Sequence, residues 1–288
     1  MINYNPKNWL NFIFSFHKSD TVRMMWKELI YISLLSIIIA YVEITFFPEA
    51  SFLKNLTTVY SLLGFVISLL LVFRTNTAYD RWWEGRKAWG AFVNDTRSLS
   101  SKLGAGALTL EEKNTFTKLI PLFVVATKQH LRNQDLKEEL STVLNLEGLD
   151  LSGHQPLRII QLLRVEIENL LQKETIHNES WLALNRDLDS LINSLGVCER
   201  IKNTPIPFSY SLFIKKFIFI YVVTMPLAFV PLFGYLSAFI STFVFYALVS
   251  MELLAEEIED PFGSDQNDLP TDQLCFTIQN NCQQIFGV

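Results

Sequence analysis

The residues that could do chemistry in this chain sit toward its end. Glu252, Glu256, Glu257, Glu259 and Asp260 crowd together, and Asp265 and Asp268 follow across Gly263. Carboxylate and backbone oxygens in such a loop are the donors that hard cations such as Ca²⁺ take. Asp265 and Asp268 are therefore the candidate metal ligands. Ser264 before them and Gln266 and Asn267 between them are neutral, so binding would be weak and the loop reads first as a solvated or subunit-joining segment. His17, His130, His154 and His177 are scattered without H-x-x-x-H spacing, and each reads as an ordinary surface or core histidine. Neither a G-x-x-x-x-G-K-[ST] loop nor a G-x-S-x-G elbow occurs, so the sequence offers no enzyme and requires no cofactor.

A second kind of chemistry is the control of water. Phe65, Leu69 and Phe73 recur every fourth residue, drifting only about 40° per step around a helix, with Ser61 and Ser68 beside them. Copies of such a face around an axis would stack as apolar rings, and a narrow apolar tube gates ions by dewetting. The same pattern also describes residues that pack or face lipid.

The elements that position these residues are helical and mostly apolar. From Val59 the run VYSLLGFVISLLLVF passes without a proline into RTNTAYDRWWEGRKAWG, which reads as one helix leaving lipid for water. At about 1.5 Å per residue, Val59 to Phe73 covers roughly 22 Å, so residues such as Leu56 must help cross an apolar layer of about 30 Å. Three further spans are read at Leu29–Phe47, at about Leu212–Pro231 and at Leu232–Met251, the last two divided by the uncharged turn PLFGYLS. Half of the residues are apolar and 18% are charged, with a mean hydropathy of +0.24, and the charges gather in 74–202 and at the two ends. Arg23, Lys27, Arg74, Arg81, Arg86, Lys87, Lys215 and Lys216 flank one side of the spans, against Lys54 on the other. The positive-inside rule then puts both termini in the cytoplasm of a cell whose inner (plasma) membrane the chain crosses. Met1 to Asp20 lacks the continuous apolar core of a cleaved signal.

Between the second and third spans the pattern is that of amphipathic helices. Ile159, Leu163, Ile167 and Leu170 form one stripe after Pro156, and Leu184, Leu188, Leu191, Ile192 and Leu195 form another that ends before NTPIP. Glu111 to His130 reads as a helix interrupted near Pro121, and 145–155 as a loop. Cys198, Cys275 and Cys282 lack C-x-x-C spacing and read as free thiols. A net charge of −5 argues against nucleic acid as a partner. The expected order is a cytosolic segment 1–28, membrane helices in 29–73, a helical cytosolic domain 74–205, membrane helices in 206–251 and a cytosolic segment 252–288.

The runs GFVISLLLVFRTNTAYDRWWEGRKAWG, TPIPFSYSLFIKKF and AEEIEDPFGSDQNDLP, in that order, resemble the bacterial branch of the bestrophin family. That resemblance implies an all-α integral membrane protein, pentameric, with four transmembrane helices per subunit and a helical cytosolic domain around a central pore. It implies a hydrophobic neck lined by the second transmembrane helix, here Phe65, Leu69 and Phe73. Arg74, Arg81, Trp82, Trp83 and Trp89 read as scaffold: the guanidinium groups could hold carboxylates of neighbouring subunits, and the indoles could sit at the membrane boundary. Animal members bind calcium at a denser acidic run, of which this chain keeps only Asp265 and Asp268. Small ions are the expected cargo. Acidic residues at both mouths, Glu43 and Glu49 outside and the C-terminal cluster inside, tip the expectation slightly toward cations, with an anion channel of the same architecture as the alternative and a membrane scaffold or sensor without ion flux as a further one.

Overall fold

A computed structural model describes residues 21–47, 51–134 and 153–288, with no side-chain detail for 51–54. Residues 1–20, Glu49 and positions 145–152 of the expected polar loop lie outside the described residues. The described residues form α-helices and no strand: α1 (Thr21–Phe46), α2 (Ser51–Gly104), α3 (Leu110–Leu131), α4 (Gln155–Gln172), α5 (Asn178–Asn203), α6 (Phe208–Thr224), α7 (Pro226–Phe233), α8 (Leu236–Glu259) and α9 (Thr271–Phe286).

The chain divides into two units. The first contains the residues up to Arg81 with Pro205–Glu259 and Asp265–Asn267, and the second contains Trp82–Thr204, Asp260–Ser264 and Asp268–Val288. Helix α2 supplies residues to both. Four segments, Thr21–Phe46, the apolar part of α2, Phe208–Phe233 and Leu236–Glu259, are long and apolar enough to cross a membrane. The protein is an all-α, multi-pass membrane protein.

In the first unit α1 lies along α8, with α7 beside both. Their contact is built from small groups: Ala40, Ser36, Ser237, Ala238 and Ser241 are buried, which lets helix backbones approach where lipid offers no hydrophobic drive. Against α6, α2 buries Tyr60, Ile67 and Leu71 among Ile214, Ile218, Tyr221 and Val222. Inside lipid every backbone group needs an internal partner. At the break in the third span Pro226 has no N–H to give Val222, and the Val222 carbonyl accepts from Met225 N–H at 3.3 Å instead. Thr57 Oγ1 of α2 donates to the Ala228 carbonyl at 2.9 Å. The turn into α8 falls at Gly234, in the left-handed region at φ 53°, a little beyond the expected division after Pro231.

Gly64 is where α2 and α6 meet most tightly. A Cβ there would stand 2.7 Å from the Tyr221 hydroxyl, which donates to the Tyr60 carbonyl at 3.2 Å, and 3.6 Å from Cζ of the same ring. Gly64→Ala is expected to cost about 1–3 kcal/mol by overpacking. Because only the hydroxyl lies inside van der Waals contact, Gly64→Ala/Tyr221→Phe should regain most of that loss. Thermal melting in detergent reads both; a double variant no more stable than Gly64→Ala would place the clash elsewhere.

The second unit packs α3, α4, α5, α9 and the end of α2 around one core. Both expected stripes point into it: Ile159, Leu163, Ile167 and Leu170 are buried, as are Leu184, Leu188, Leu191 and Leu195, with Ile192 half-buried. Helix α3 opens on a capping box in which Thr109 N–H donates to Glu112 Oε2 (2.9 Å) and Glu112 N–H to Thr109 Oγ1 (3.3 Å). The Thr109 amide, outweighing partial burial and helped by Lys173, holds the Glu112 carboxyl below its usual range. Contrary to expectation, Pro121 does not interrupt α3; Leu119, Ile120, Leu122, Phe123 and Val124 around it are all buried, and this packing holds the helix through the missing amide. Trp89 is also core, edge-on to Phe92 at 5.5 Å, rather than an interfacial indole. All three cysteines are buried and in no disulfide, and burial, with Glu199 and Glu84 adding to it, pushes the Cys198 thiol up to about 12.

Candidate pore helix and its anchor

Two faces of α2 differ sharply in the first unit. Ile67, Leu71, Arg74 and Ala78 are buried, whereas Phe65, Leu69 and Phe73 are 67%, 45% and 56% exposed within the subunit. Ser61 and Ser68 share the open side, but their hydroxyls donate to carbonyls of their own helix, Thr57 O at 2.9 Å and Gly64 O at 2.8 Å. The open stripe is therefore more apolar than its composition suggests. Past Phe73 it turns polar, with Asn76, Thr77 and Asp80 exposed.

The buried face is anchored by a charge cluster that the sequence did not reveal. Arg74, almost wholly buried, places Nη2 2.7 Å from Glu259 Oε2, and its Nε 3.6 Å from Glu252 Oε2. Glu259 spends its other oxygen on Ile206 N–H (2.6 Å), between the two prolines of TPIP, and its carbonyl accepts from Arg81 Nε (3.2 Å). The last turn of α8 thus satisfies its free carbonyl with a cation and ties α2 to the start of α6. Arg74 binds carboxylates of its own subunit, which corrects the expectation of pairs between neighbours. Helix α8 runs on to Glu259, so Glu252, Glu256, Glu257 and Glu259 lie on a helix rather than after one.

Much of the acidic surplus is matched by cations. Glu256 pairs with Lys215 at 2.8 Å and, in the second unit, Asp260 pairs with Lys202 at 2.6 Å. Glu43 is buried against its neighbours instead of open to solvent. Asp265 is exposed; Asp268 is buried, its Oδ2 filling the space that a Cβ on Gly263 would need. The turn carbonyls of Phe262 and Gly263 accept from Arg132 Nε at 3.2 and 3.1 Å, while the rest of that guanidinium holds Thr271 and Asp272. Arg132 and Lys128 overcome partial burial to hold the Asp272 carboxyl below its usual range.

Four apolar spans and a polar helical unit define a helical, multi-pass membrane protein. The family model of the bacterial and fungal bestrophins matches residues 1–284. The chain belongs to that family, a family of channels and not of enzymes. It is 38% identical to a voltage-dependent anion channel-forming protein of Synechocystis, over 76% of this chain and 74% of that one. It is 31% identical to the voltage-dependent anion channel-forming protein YneE of Escherichia coli, over 99% of this chain and 94% of that one. Among solved structures, a bacterial bestrophin homolog from Klebsiella pneumoniae superposes with a TM-score of 0.85 at 29% identity, covering 92% of this chain and all of that one.

Proposed function

We propose that this protein forms an anion-conducting channel, a ring of identical subunits, five by resemblance to the family, in which Phe65, Leu69 and Phe73 of each subunit line an apolar neck. The open stripe on α2 carries the reading: it is the apolar face that the subunit leaves unburied on a helix whose opposite side is fixed by Arg74. Ring closure by head-to-tail interfaces turns such a stripe into stacked apolar rings. Conduction is then passive, controlled by whether the constriction is wet.

The anion reading takes precedence over the expected lean toward cations. That lean rested on carboxylates at the mouths, and Glu43 is buried while Glu252, Glu256, Glu259 and Asp260 face Arg74, Lys215 and Lys202. Relatives described as anion channel-forming point the same way. With Arg23, Lys27, Lys215 and Lys216 on one side of the spans, both termini and residues 82–204 lie in the cytoplasm and the spans lie in the inner membrane. No cofactor is needed. Ca²⁺ at Asp265 and Asp268 is no part of this reading, because the Arg132 guanidinium already takes two carbonyls of that turn.

Purified protein in planar bilayers under a KCl gradient tests the proposal. The current should reverse near the chloride equilibrium potential. Reversal near the potassium potential would return the selectivity to cations, and silence at every voltage would leave a membrane scaffold.

A further inference from the structure

In the second unit three helices bring two imidazoles and a carboxylate to one point. His130 lies in the last turn of α3, His154 caps the start of α4, and Glu199 projects from α5. Nε2 of His130 stands 2.9 Å, and Nε2 of His154 2.6 Å, from the same oxygen, Oε1 of Glu199. The two rings lie 4.4 Å apart between centroids, and the three ligating atoms fall within 4.8 Å of one another. All three side chains are partly exposed, so an ion and its water have access.

We propose that His130, His154 and Glu199 form a binding site for a divalent transition-metal ion, zinc being the best match. Two imidazoles and one carboxylate are the nitrogen and oxygen donors that borderline ions such as Zn²⁺ take, with water completing a tetrahedron. Metal–ligand bonds of about 2.0–2.2 Å need ligand atoms roughly 3.4 Å apart, so Glu199 Oε1 must withdraw from each ring by roughly half an ångström or a little more. Two N–H groups converging on one carboxylate oxygen already aim both Nε2 lone-pair directions at the place the ion would occupy. On loading, each ring carries its proton on Nδ1 instead of Nε2, and at His154 the 3.4 Å contact that Nδ1 accepts from Leu157 N–H is given up. The bound ion would staple the end of α3, the start of α4 and α5, independently of what the membrane unit conducts.

The test uses the full chain in detergent, stripped with chelator and titrated with Zn²⁺ by calorimetry, then with Co²⁺ as an optical probe. One ion per chain with micromolar or tighter affinity is expected, together with a zinc-dependent rise in melting temperature and the visible absorption of tetrahedral Co²⁺. Glu199→Gln, which keeps the shape of the side chain, and His130→Ala should each weaken binding at least about tenfold and abolish the melting shift. Absence of binding at millimolar zinc would overturn the site, as would unchanged affinity in both variants. Size-exclusion profiles of the metal-free variants verify folding; should His130→Ala misfold, Glu199→Gln alone decides.

Discussion

Conductance in planar bilayers is expected to rise roughly several-fold when Phe65, Leu69 or Phe73 is replaced by alanine. Each side chain is exposed within its subunit and lies outside its core, so truncation leaves that core intact while every copy in the ring loses a large apolar group at the same height. The free energy of wetting a narrow tube falls as it widens, and ions follow water. The two phenylalanines should show the larger effect, because more volume is lost. Ile67→Ala is the contrast. Ile67 is 1% exposed and faces the α6 side, so its truncation should cost about 2–5 kcal/mol of stability by leaving a cavity, with no gain in current. Unchanged currents in all three open-face variants would remove the neck from these residues and return them to lipid or to subunit contacts.

The contrast between these faces also marks what a sequence can carry. Local regularities transferred well. The absence of proline between Val59 and Trp89 gave one unbroken helix, now Ser51–Gly104, and the spacing of Ile159, Leu163, Ile167 and Leu170 named a face that is buried. Properties that depend on distant partners did not transfer. Glu43 sits in a helix apolar on every side, where hydropathy shows that the segment spans but not which side meets a neighbour. Arg74 and its carboxylates are separated by most of the chain, so periodicity had no means of pairing them. His130 and His154 looked solitary for the same reason, since what joins them is Glu199 on a third helix. Pro121 failed as a breaker because the core on both sides of it outweighs one lost hydrogen bond, whereas Pro226, flanked by a carbonyl that Met225 could satisfy, did divide its span.

Arg74 is the position where a single substitution should damage the protein most. One guanidinium, 1% exposed, faces two carboxylates, of which Glu252 is 2% exposed and Glu259 13%. Removing the cation strands both acids in a site with little water, and uncompensated buried charge of this kind costs about 3–5 kcal/mol. Arg74→Met should therefore melt well below the wild type or fail to assemble. Removing one acid is a different matter. In Glu252→Gln the guanidinium keeps its 2.7 Å contact with Glu259, and a one-to-one pair replaces the excess of negative charge, so the loss should be small. Glu259→Gln should fall between the two. That carboxylate also accepts the Ile206 amide, a bond the amide oxygen of glutamine can retain, while the remaining Glu252 stands 3.6 Å from Arg74 Nε and makes no close hydrogen bond to it. The order of melting temperatures, Glu252→Gln above Glu259→Gln above Arg74→Met, is the signature of one cation serving two acids. Equal losses in all three would mean that the cluster acts through packing alone, and a Glu252→Gln protein as unstable as Arg74→Met would make the longer contact, not the shorter, the one that holds α2 in place.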